Sequence, residues 1–190
     1  MRILLPTVAA LLVGSILLQA GGARAAEPGP PAPKQGDVPP AYVGRLLDGT
    51  DVRMDLSRGK AHVVTFWASW CGPCLQELPI LSNLQRKVGT EQMQVVAVNI
   101  EERDVYRRVR GAVGDLGLTA THDPGALARK AFGVASIPHM VVVGRDGRIV
   151  SVRKGYSEAK LDAYVADFNA ALAAPAAVSE GTSAPIPAPK

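Results

Sequence analysis

The sequence VVTFWASWCGPCLQELP, at residues 63–79, decides the fold of this protein. Its first five residues are apolar or β-branched, which is typical of a strand buried on both faces of a sheet. From position 75 onward, leucine or valine recurs every three or four residues, at positions 75, 78, 81, 84 and 88. This spacing predicts a helix with one apolar face. The turn between strand and helix contains both cysteines of the chain, Cys71 and Cys74.

The Cys-Gly-Pro-Cys turn has the spacing of a disulfide that can open and close. We expect Cys71 at the N-terminus of the new helix, where unpaired N–H groups and the helix dipole stabilise a thiolate and lower the pKa of the thiol below roughly 8.5. Cys74 follows one turn later. Cys71 is therefore predicted to attack a disulfide in another protein, and Cys74 to resolve the mixed disulfide. Pro73 suits the first helical turn, and Gly72 leaves room for the backbone of a partner.

Two other interpretations of the cysteine pair are half of a structural zinc site and a pair of inert, buried thiols. A closed zinc site needs four ligands, and the sequence has no second cysteine pair. Its three histidines, His62, His122 and His139, are scattered and lack a His-x3-His spacing. The pattern therefore favours a working thiol pair.

Composition bounds the size of the protein and the class of its partners. The chain has 190 residues, 47% of them hydrophobic, which is enough for one domain with a sizeable core and flanking segments. Its formal charge is +4, and this falls to +2 without Arg2 and Arg24. Such a weak charge gives no support to nucleic-acid binding, and the arginines at positions 103, 107, 108 and 110 are interpreted as a solvated helix face.

Residues 1–25 have the pattern of a secretory signal peptide. Arg2 supplies the positive start, residues 3–20 are nearly all apolar, and Ala23-Arg24-Ala25 is an A-x-A cleavage pattern with the cut expected after Ala25. An apolar run of this length is near the lower limit for spanning a bilayer, so a retained N-terminal anchor is the alternative. Either way, the working part is expected outside the cytoplasm. A single Cys-x-x-Cys pair in that location is better explained as a redox-active site than as a structural disulfide.

The rest of the chain divides into a linker, one domain and a tail. Residues 26–40 are rich in proline and predict an extended tether without a core. Residues 41–172 are predicted to form the domain, and residues 173–190, rich in alanine and proline, a disordered tail.

Within the domain, strand and helix patterns alternate. A hairpin is predicted at residues 42–54 around Asp48-Gly49, a second one at 140–153 around Asp146-Gly147, and a buried strand at 94–100. Helices are predicted after Cys74 (to residue 88, kinked at Pro79), at 101–113, at 125–132 and at 157–172, with Ser157 as the N-cap of the last. In this last helix Leu161, Tyr164, Val165, Phe168 and Leu172 are expected on one face. This order predicts an α/β fold with a mixed central sheet flanked by helices.

Three features together resemble the thioredoxin superfamily: the sequence FWASWCGPC at residues 66–74, the hairpin before it, and Ile137-Pro138 before the last hairpin. Within that superfamily, residues 38–172 look like the TlpA/ResA/CcmG-type thiol–disulfide oxidoreductases of bacterial envelopes. The resemblance implies a thioredoxin fold with an added N-terminal β-hairpin and a central αβ insertion between Ile100 and Pro138.

The resemblance also implies roles for residues beside the cysteines. Pro138 would form a cis peptide bond facing the cysteine pair, and the backbone of Ile137 would pair with a client peptide. Trp70 would shape the rim beside Cys71. The alternatives are an ordinary trans proline that starts a strand and a tryptophan in the core.

Glu77 is the candidate proton carrier. It lies three residues beyond Cys74 and so on the same side of the helix, one turn on. ResA-type proteins have a partly buried glutamate at this position, and a desolvated carboxyl with a raised pKa can exchange a proton with a thiol. The alternative is a glutamate that faces solvent. Cytosolic thioredoxin has a buried aspartate in the central strand, where this chain has Thr65, which cannot titrate.

Two departures from the family affect the expected chemistry. His139 replaces the threonine that often follows the cis-proline, and its imidazole would either tune the thiolate or only point outward. The pair Gly72-Pro73 is that of thioredoxin itself, so we expect a reducing couple.

The implied activity is a protein disulfide reductase with no cofactor beyond its cysteines. The family implies a membrane thiol carrier of the DsbD/CcdA type as electron donor, and apocytochrome c or metallochaperones of oxidase assembly as clients. One rival is a copper(I) carrier that binds the ion with Cys71, Cys74 and His139, since soft thiolates suit that ion. A peroxidase of the peroxiredoxin type has no support, because such enzymes place the reactive cysteine in a different local sequence.

Overall fold

A computed structural model describes residues 31–177 of the protein. The predicted signal peptide or anchor at residues 1–25, the beginning of the predicted linker and residues 178–190 of the predicted tail lie outside the described residues. Within residues 31–177, no helix is both long enough and apolar enough to cross a membrane.

The described chain alternates strands and helices in the predicted order. The strands are β1 (Tyr42–Arg45), β2 (Asp51–Arg53), β3 (Ala61–Trp67), β4 (Met93–Asn99), β5 (Thr119–His122), β6 (His139–Val143) and β7 (Ile149–Lys154). The helices are α1 (Gly72–Val88), α2 (Arg103–Gly114), α3 (Leu127–Ala131) and α4 (Leu161–Ala173). Short 3-10 turns lie at Leu56–Arg58 and Glu158–Lys160.

The seven strands form one mixed sheet in the order β2-β1-β5-β4-β3-β6-β7. Strand β3 pairs in parallel with β4 and antiparallel with β6, and β4 pairs in parallel with β5. The hairpins β1–β2 and β6–β7 form the two edges. All seven residues of β3 are buried, as its nearly continuous apolar sequence predicts. The predicted mixed α/β sheet flanked by helices is thus confirmed.

Side chains of β3 alternate between two cores. Val63 and Trp67 belong to a cluster that includes residues of α1, α2 and α4, whereas Val64 and Phe66 belong to a cluster that includes residues of α3. Thr65 lies on the first face, because side chains at alternate positions of a strand share a face. The first face also carries both cysteines.

Two predicted apolar faces are wrong in detail. Leu75, the first leucine of the α1 pattern, is 47% exposed, while Leu78 and Leu81 are buried. In α4, Val165 is 54% exposed, while Tyr164 and Phe168 are buried. Each exposed residue lies at the border of an apolar stripe, where the spacing of residues does not decide which side meets solvent.

Two helices differ from their predicted form. Helix α1 contains Pro79 and is nevertheless one continuous helix from Gly72 to Val88. Helix α4 begins at Leu161, after a 3-10 turn that Ser157 precedes. The side chain of Ser157 makes no capping hydrogen bond there, so the prediction that it caps α4 is wrong.

The end of the predicted linker is bound to the domain. The N–H of Gly36 donates to the carbonyl of Ile149 at 2.8 Å, and the N–H of Ile149 donates to the carbonyl of Asp37 at 2.9 Å. At the other end, the N–H of Ala177 donates to the carbonyl of Arg145 at 2.8 Å. These positions of the predicted linker and tail therefore belong to the folded domain.

Candidate active site

The two cysteines form a disulfide at the N-terminus of α1. Strand β3 ends at Trp67, and a turn closed by a hydrogen bond from the N–H of Cys71 to the carbonyl of Ala68 leads into the helix. The sulfur atoms are 2.06 Å apart, and the Cα atoms of Cys71 and Cys74 are 5.2 Å apart. Cys71 is the N-cap of α1, and its Sγ accepts a hydrogen bond from the N–H of Cys74 at 3.3 Å. The sulfur that the sequence predicts as the nucleophile thus lies at the positive end of the helix dipole.

The two cysteines differ slightly in exposure. Cys71 retains 5% of its accessible surface, whereas Cys74 has none. Trp70, next to Cys71, is 70% exposed, which agrees with a residue at the rim of the site and excludes a tryptophan in the core. A Cβ atom built on Gly72 would meet no atom within 4 Å, so this side of the turn is open. A disulfide in another protein can approach Cys71 from this side, but Cys74 is enclosed by protein.

Glu77 is fully enclosed as well, with 1% of its surface exposed, which excludes the alternative of a solvent-facing glutamate. Its Oε2 accepts a hydrogen bond of 2.7 Å from the hydroxyl of Thr65 in β3. Burial raises the pKa of Glu77 to about 7. The hydroxyl groups of Thr65 and Tyr164 favour the carboxylate and so lower the pKa, but their effect is smaller than that of burial. At neutral pH this carboxyl can therefore both accept and release a proton, one helical turn from Cys74.

The turn that carries Trp70 and Cys71 is fixed by a carboxylate that the sequence analysis missed. Glu101 follows β4 and accepts hydrogen bonds from both the N–H (2.7 Å) and the hydroxyl (2.8 Å) of Ser69, and from Nδ2 of Asn99 (3.0 Å). Partial burial alone would raise the pKa of Glu101, but these hydrogen bonds outweigh it and lower the pKa. A carboxylate directly after β4 could have been suspected, since β3 and β4 are parallel and end at the same edge of the sheet.

The segment before β6 and Trp70 of the cysteine turn line the same groove. The peptide bond between Ile137 and Pro138 is cis. The carbonyl of Pro138 accepts a hydrogen bond of 2.8 Å from the N–H of Gly155 after β7. A groove of about 340 Å³ runs along this segment and reaches Trp70; it is lined by Trp70, Ile100, Arg129, Val134, Ala135, Ser136 and Ile137.

His139 does not lie with the cysteines. It pairs with Phe66 of β3, and its ring packs edge-on against that ring at 6.1 Å, on the opposite face of the sheet from Cys71 and Cys74. It is 1% exposed, and both ring nitrogens lack a hydrogen-bond partner within the described residues. Burial and the charge of Lys154 lower the pKa of His139 to about 4. Its side chain therefore has no path to the sulfurs or to a client.

This position of His139 also bears on the copper(I) alternative. The proposed ligands Cys71, Cys74 and His139 do not converge, because the sheet separates the imidazole from the sulfurs. Across residues 31–177, no group of three or more His, Cys, Asp or Glu side chains is arranged to hold a metal ion.

A second, larger groove of about 490 Å³ lies on the other side of the cysteine turn, between α1 and α2. It is mostly apolar, and the exposed side chain of Leu75 forms part of its wall. Its lining residues are Trp67, Ser69, Leu75, Leu78, Pro79, Arg108, Val109, Ala112, Val113 and Leu116.

Comparison with known proteins relates this site to redox proteins. Residues 34–172 match the sequence profile of the Redoxin family. Thiol-disulfide oxidoreductase ResA of Bacillus thuringiensis is 27% identical over 120 residues, which cover 63% of this chain and 69% of ResA. Thiol:disulfide interchange protein HelX of Rhodobacter capsulatus is 34% identical over 100 residues, which cover 51% of this chain and 53% of HelX.

Solved structures give the same relation for the fold. A structure described as a putative thiol:disulfide interchange protein DsbE from Chlorobium tepidum superposes with a TM-score of 0.60 at 26% identity, covering 75% of this chain and 99% of the other. StoA from Bacillus subtilis superposes with a TM-score of 0.52 at 22% identity, covering 66% of this chain and 96% of StoA. The second likeness concerns the fold alone.

Proposed function

Because this chain belongs to the Redoxin family, as a TlpA/ResA/CcmG-like member of the thioredoxin superfamily that catalyses thiol–disulfide exchange, we propose that it works outside the cytoplasm as a reductase of disulfides in client proteins. The proposal rests on the asymmetry of the cysteine pair. Cys71 lies at a helix N-terminus and keeps 5% of its surface exposed, whereas Cys74 is fully buried one turn from a carboxyl that titrates near neutrality. This asymmetry suits Cys71 to attack the client disulfide and Cys74 to release the client from the mixed disulfide.

The proposed reaction starts from the dithiol form. The thiolate of Cys71 attacks one sulfur of the client disulfide, which forms a mixed disulfide and releases the first client thiolate. Glu77 then accepts the proton of the Cys74 thiol, and the resulting thiolate attacks Sγ of Cys71. The bond to the client breaks, the Cys71–Cys74 disulfide forms, and the second client sulfur leaves as a thiolate. Two electrons pass to the client, whose thiolates are protonated from Glu77 and from water.

We place the client beside Pro138, with its backbone against Ile137 and its side chains in the groove that reaches Trp70. Trp70 lines this groove and is 70% exposed, so its ring can pack over an extended peptide. We place Gly72 and Pro73 on the client's other side, because the position of Gly72 has no atom within 4 Å of a Cβ built there. His139 contributes its backbone to β6 and no side chain to this surface.

The remaining parts of the proposal come from the sequence. The signal or anchor pattern of residues 1–25 supports export to the periplasm, with or without a membrane tether. The resemblance supports a membrane thiol carrier of the DsbD/CcdA type as the source of electrons. It also supports apocytochrome c or metallochaperone thiols as clients.

The direct test is to trap the client. Replacing Cys74 by Ser removes the resolving sulfur, so the mixed disulfide with Cys71 should accumulate and appear as adducts on non-reducing gels of envelope extracts. Mass spectrometry of the trapped client would identify it, and a protein that carries a c-type haem attachment motif would support the assignment to cytochrome maturation.

The matched control is the Cys71→Ser protein, which keeps the buried sulfur and should trap nothing because Cys74 is enclosed. Equal trapping by the two variants would refute the proposed order of attack. Absence of adducts with Cys74→Ser, in cells that export the protein, would refute the reductase function.

A further inference from the structure

The hydroxyl of Tyr164 lies between the carboxyl of Glu77 and the segment that contains Pro138. Tyr164 lies in α4 and is 1% exposed. Its hydroxyl donates to the carbonyl of Gly155 at 3.1 Å, and it also interacts with the carboxyl of Glu77. The N–H of Gly155 in turn donates to the carbonyl of Pro138 at 2.8 Å. A short chain of polar contacts thus runs from the buried carboxyl to the segment beside which we place the client.

A tyrosine hydroxyl has one hydrogen to donate and must divide it between these two acceptors. When Glu77 is protonated, its own O–H can donate to the oxygen of Tyr164, and the hydrogen of Tyr164 remains with Gly155. When Glu77 is ionised, the carboxylate needs donors, because a buried charge without hydrogen bonds is costly. Thr65 supplies one donor, and Tyr164 is placed to supply the next at the expense of Gly155.

Building on the reductase function proposed above, we propose that Tyr164 is a positioning residue whose hydroxyl moves its single hydrogen bond between the Gly155 carbonyl and the Glu77 carboxylate. The charge of Glu77 is thereby coupled to the anchoring of the segment that contains Pro138. Transfer of a proton from Cys74 to Glu77 returns this hydrogen bond to Gly155, at the stage when the client leaves.

Other ionisable groups pack around the pair and have to be kept apart from this effect. Arg153 of β7 forms an ion pair of 2.7 Å with Asp167 of α4, and its charge acts on Tyr164. The ring of Tyr156 lies 6.1 Å from that of Tyr164, and Tyr156 interacts with Glu77 through charge. Cys74 lies one turn from Glu77 and is held in the disulfide in the oxidised protein, so it does not titrate there.

The test is a pair of pH titrations on the oxidised protein. Carbon-13 NMR of the Glu77 side chain measures the pKa of the carboxyl, and hydrogen exchange of the Gly155 amide, corrected for its intrinsic pH dependence, measures the anchoring of Pro138. In the wild type, exchange at Gly155 should accelerate over the pH range in which Glu77 ionises.

Tyr164→Phe keeps the ring and removes the hydroxyl, so the pKa of Glu77 should rise by about half to one unit. Exchange at Gly155 should then no longer follow Glu77.

Two control variants separate the hydroxyl from its surroundings. Tyr156→Phe should leave both titrations unchanged. Thr65→Val removes the other donor, so it should raise the pKa of Glu77 but leave exchange at Gly155 coupled to it. Glu77→Gln, which retains Tyr164, should abolish the coupling and serves as the second test if Tyr164→Phe does not fold.

Two results would overturn the inference. One is an unchanged pKa of Glu77 in Tyr164→Phe. The other is a rate of amide exchange at Gly155 that does not change in the wild type over the pH range in which Glu77 ionises. Neither result touches the reductase function, which the trapping experiment tests by itself. Conversely, a failure to trap clients would leave the coupling between Glu77 and Gly155 measurable.

Discussion

Replacing Glu77 by Gln is predicted to stabilise the protein at alkaline pH and to have little effect at acid pH. The pKa of Glu77 is raised from 4.5 to about 7 by burial, while in the unfolded chain it returns to its ordinary value. Between these two values the folded state holds a proton that the unfolded state has lost. Stability due to this group is therefore fully present below pH 4.5 and is lost as the pH rises toward 7.

The size of the effect follows from the shift. A rise of the pKa of Glu77 from 4.5 to about 7 corresponds to about 3 kcal/mol of unfolding free energy, at roughly 1.4 kcal/mol for each tenfold change in proton affinity. Glutamine has nearly the same shape, and its carbonyl oxygen can still accept the hydrogen bond from Thr65, but it never carries the charge. E77Q should therefore match the wild type at pH 4 and exceed its stability by about 3 kcal/mol at pH 8.

Urea unfolding of the oxidised proteins between pH 4 and pH 8 measures this difference directly. E91Q is the matched control, since Glu91 is exposed in the turn before β4 and its replacement removes the same charge without relieving burial. If the difference in unfolding free energy between E77Q and wild type were the same at pH 4 and at pH 8, the account of a desolvated, titrating carboxyl would be refuted.

Three further predictions concern the surroundings of the site. Glu101→Ala leaves the donors of Ser69 unpaired and should cost about 1–2 kcal/mol of stability, whereas Glu101→Gln keeps one acceptor and should recover part of it in urea unfolding. His139 resists protonation when folded, since its pKa falls from 6.5 to about 4. Its own contribution to stability should therefore decrease as the pH falls below 6.5, opposite in sign to that of Glu77. Urea unfolding should show this as a change of about 1–2 kcal/mol in the stability difference between wild type and His139→Leu from pH 7 to pH 5. Trp70→Ala should leave stability within about 0.5 kcal/mol but raise KM for a disulfide client by about tenfold, while Leu75→Ala, in the other groove, should leave KM unchanged; equal effects of the two would refute the placement of the client.

The centre of the fold could be predicted because its sequence signals are local. A continuous apolar run gives a strand buried on both faces, and β3 is buried throughout. The Asp146-Gly147 turn sets the β6–β7 hairpin, in which Gly147 has a φ of 76°, a conformation that suits glycine. The exposure of Leu75 and Val165 was harder to predict, because both lie at the edge of an apolar stripe, where tertiary packing decides which side chains are buried.

The candidate site could be predicted where residues are related by helix geometry. Glu77 is one helical turn from Cys74, and that spacing alone places it on the same side. Glu101 was missed because its partner Ser69 is 32 residues away, joined to it through the sheet. His139 was placed near the cysteines because it follows Pro138, but alternate residues of a strand point to opposite faces.

The central claim is that Cys71 is an acidic, accessible thiol and Cys74 a shielded one. The most direct measurement is the rate of alkylation of each cysteine in the reduced protein by iodoacetamide as a function of pH, with the modified residue identified by mass spectrometry. The account predicts that Cys71 reacts first, with a pKa well below the roughly 8.5 of a free cysteine, and that Cys74 remains unmodified. A Cys71 that titrates like free cysteine, or a Cys74 that is alkylated as fast, would contradict it.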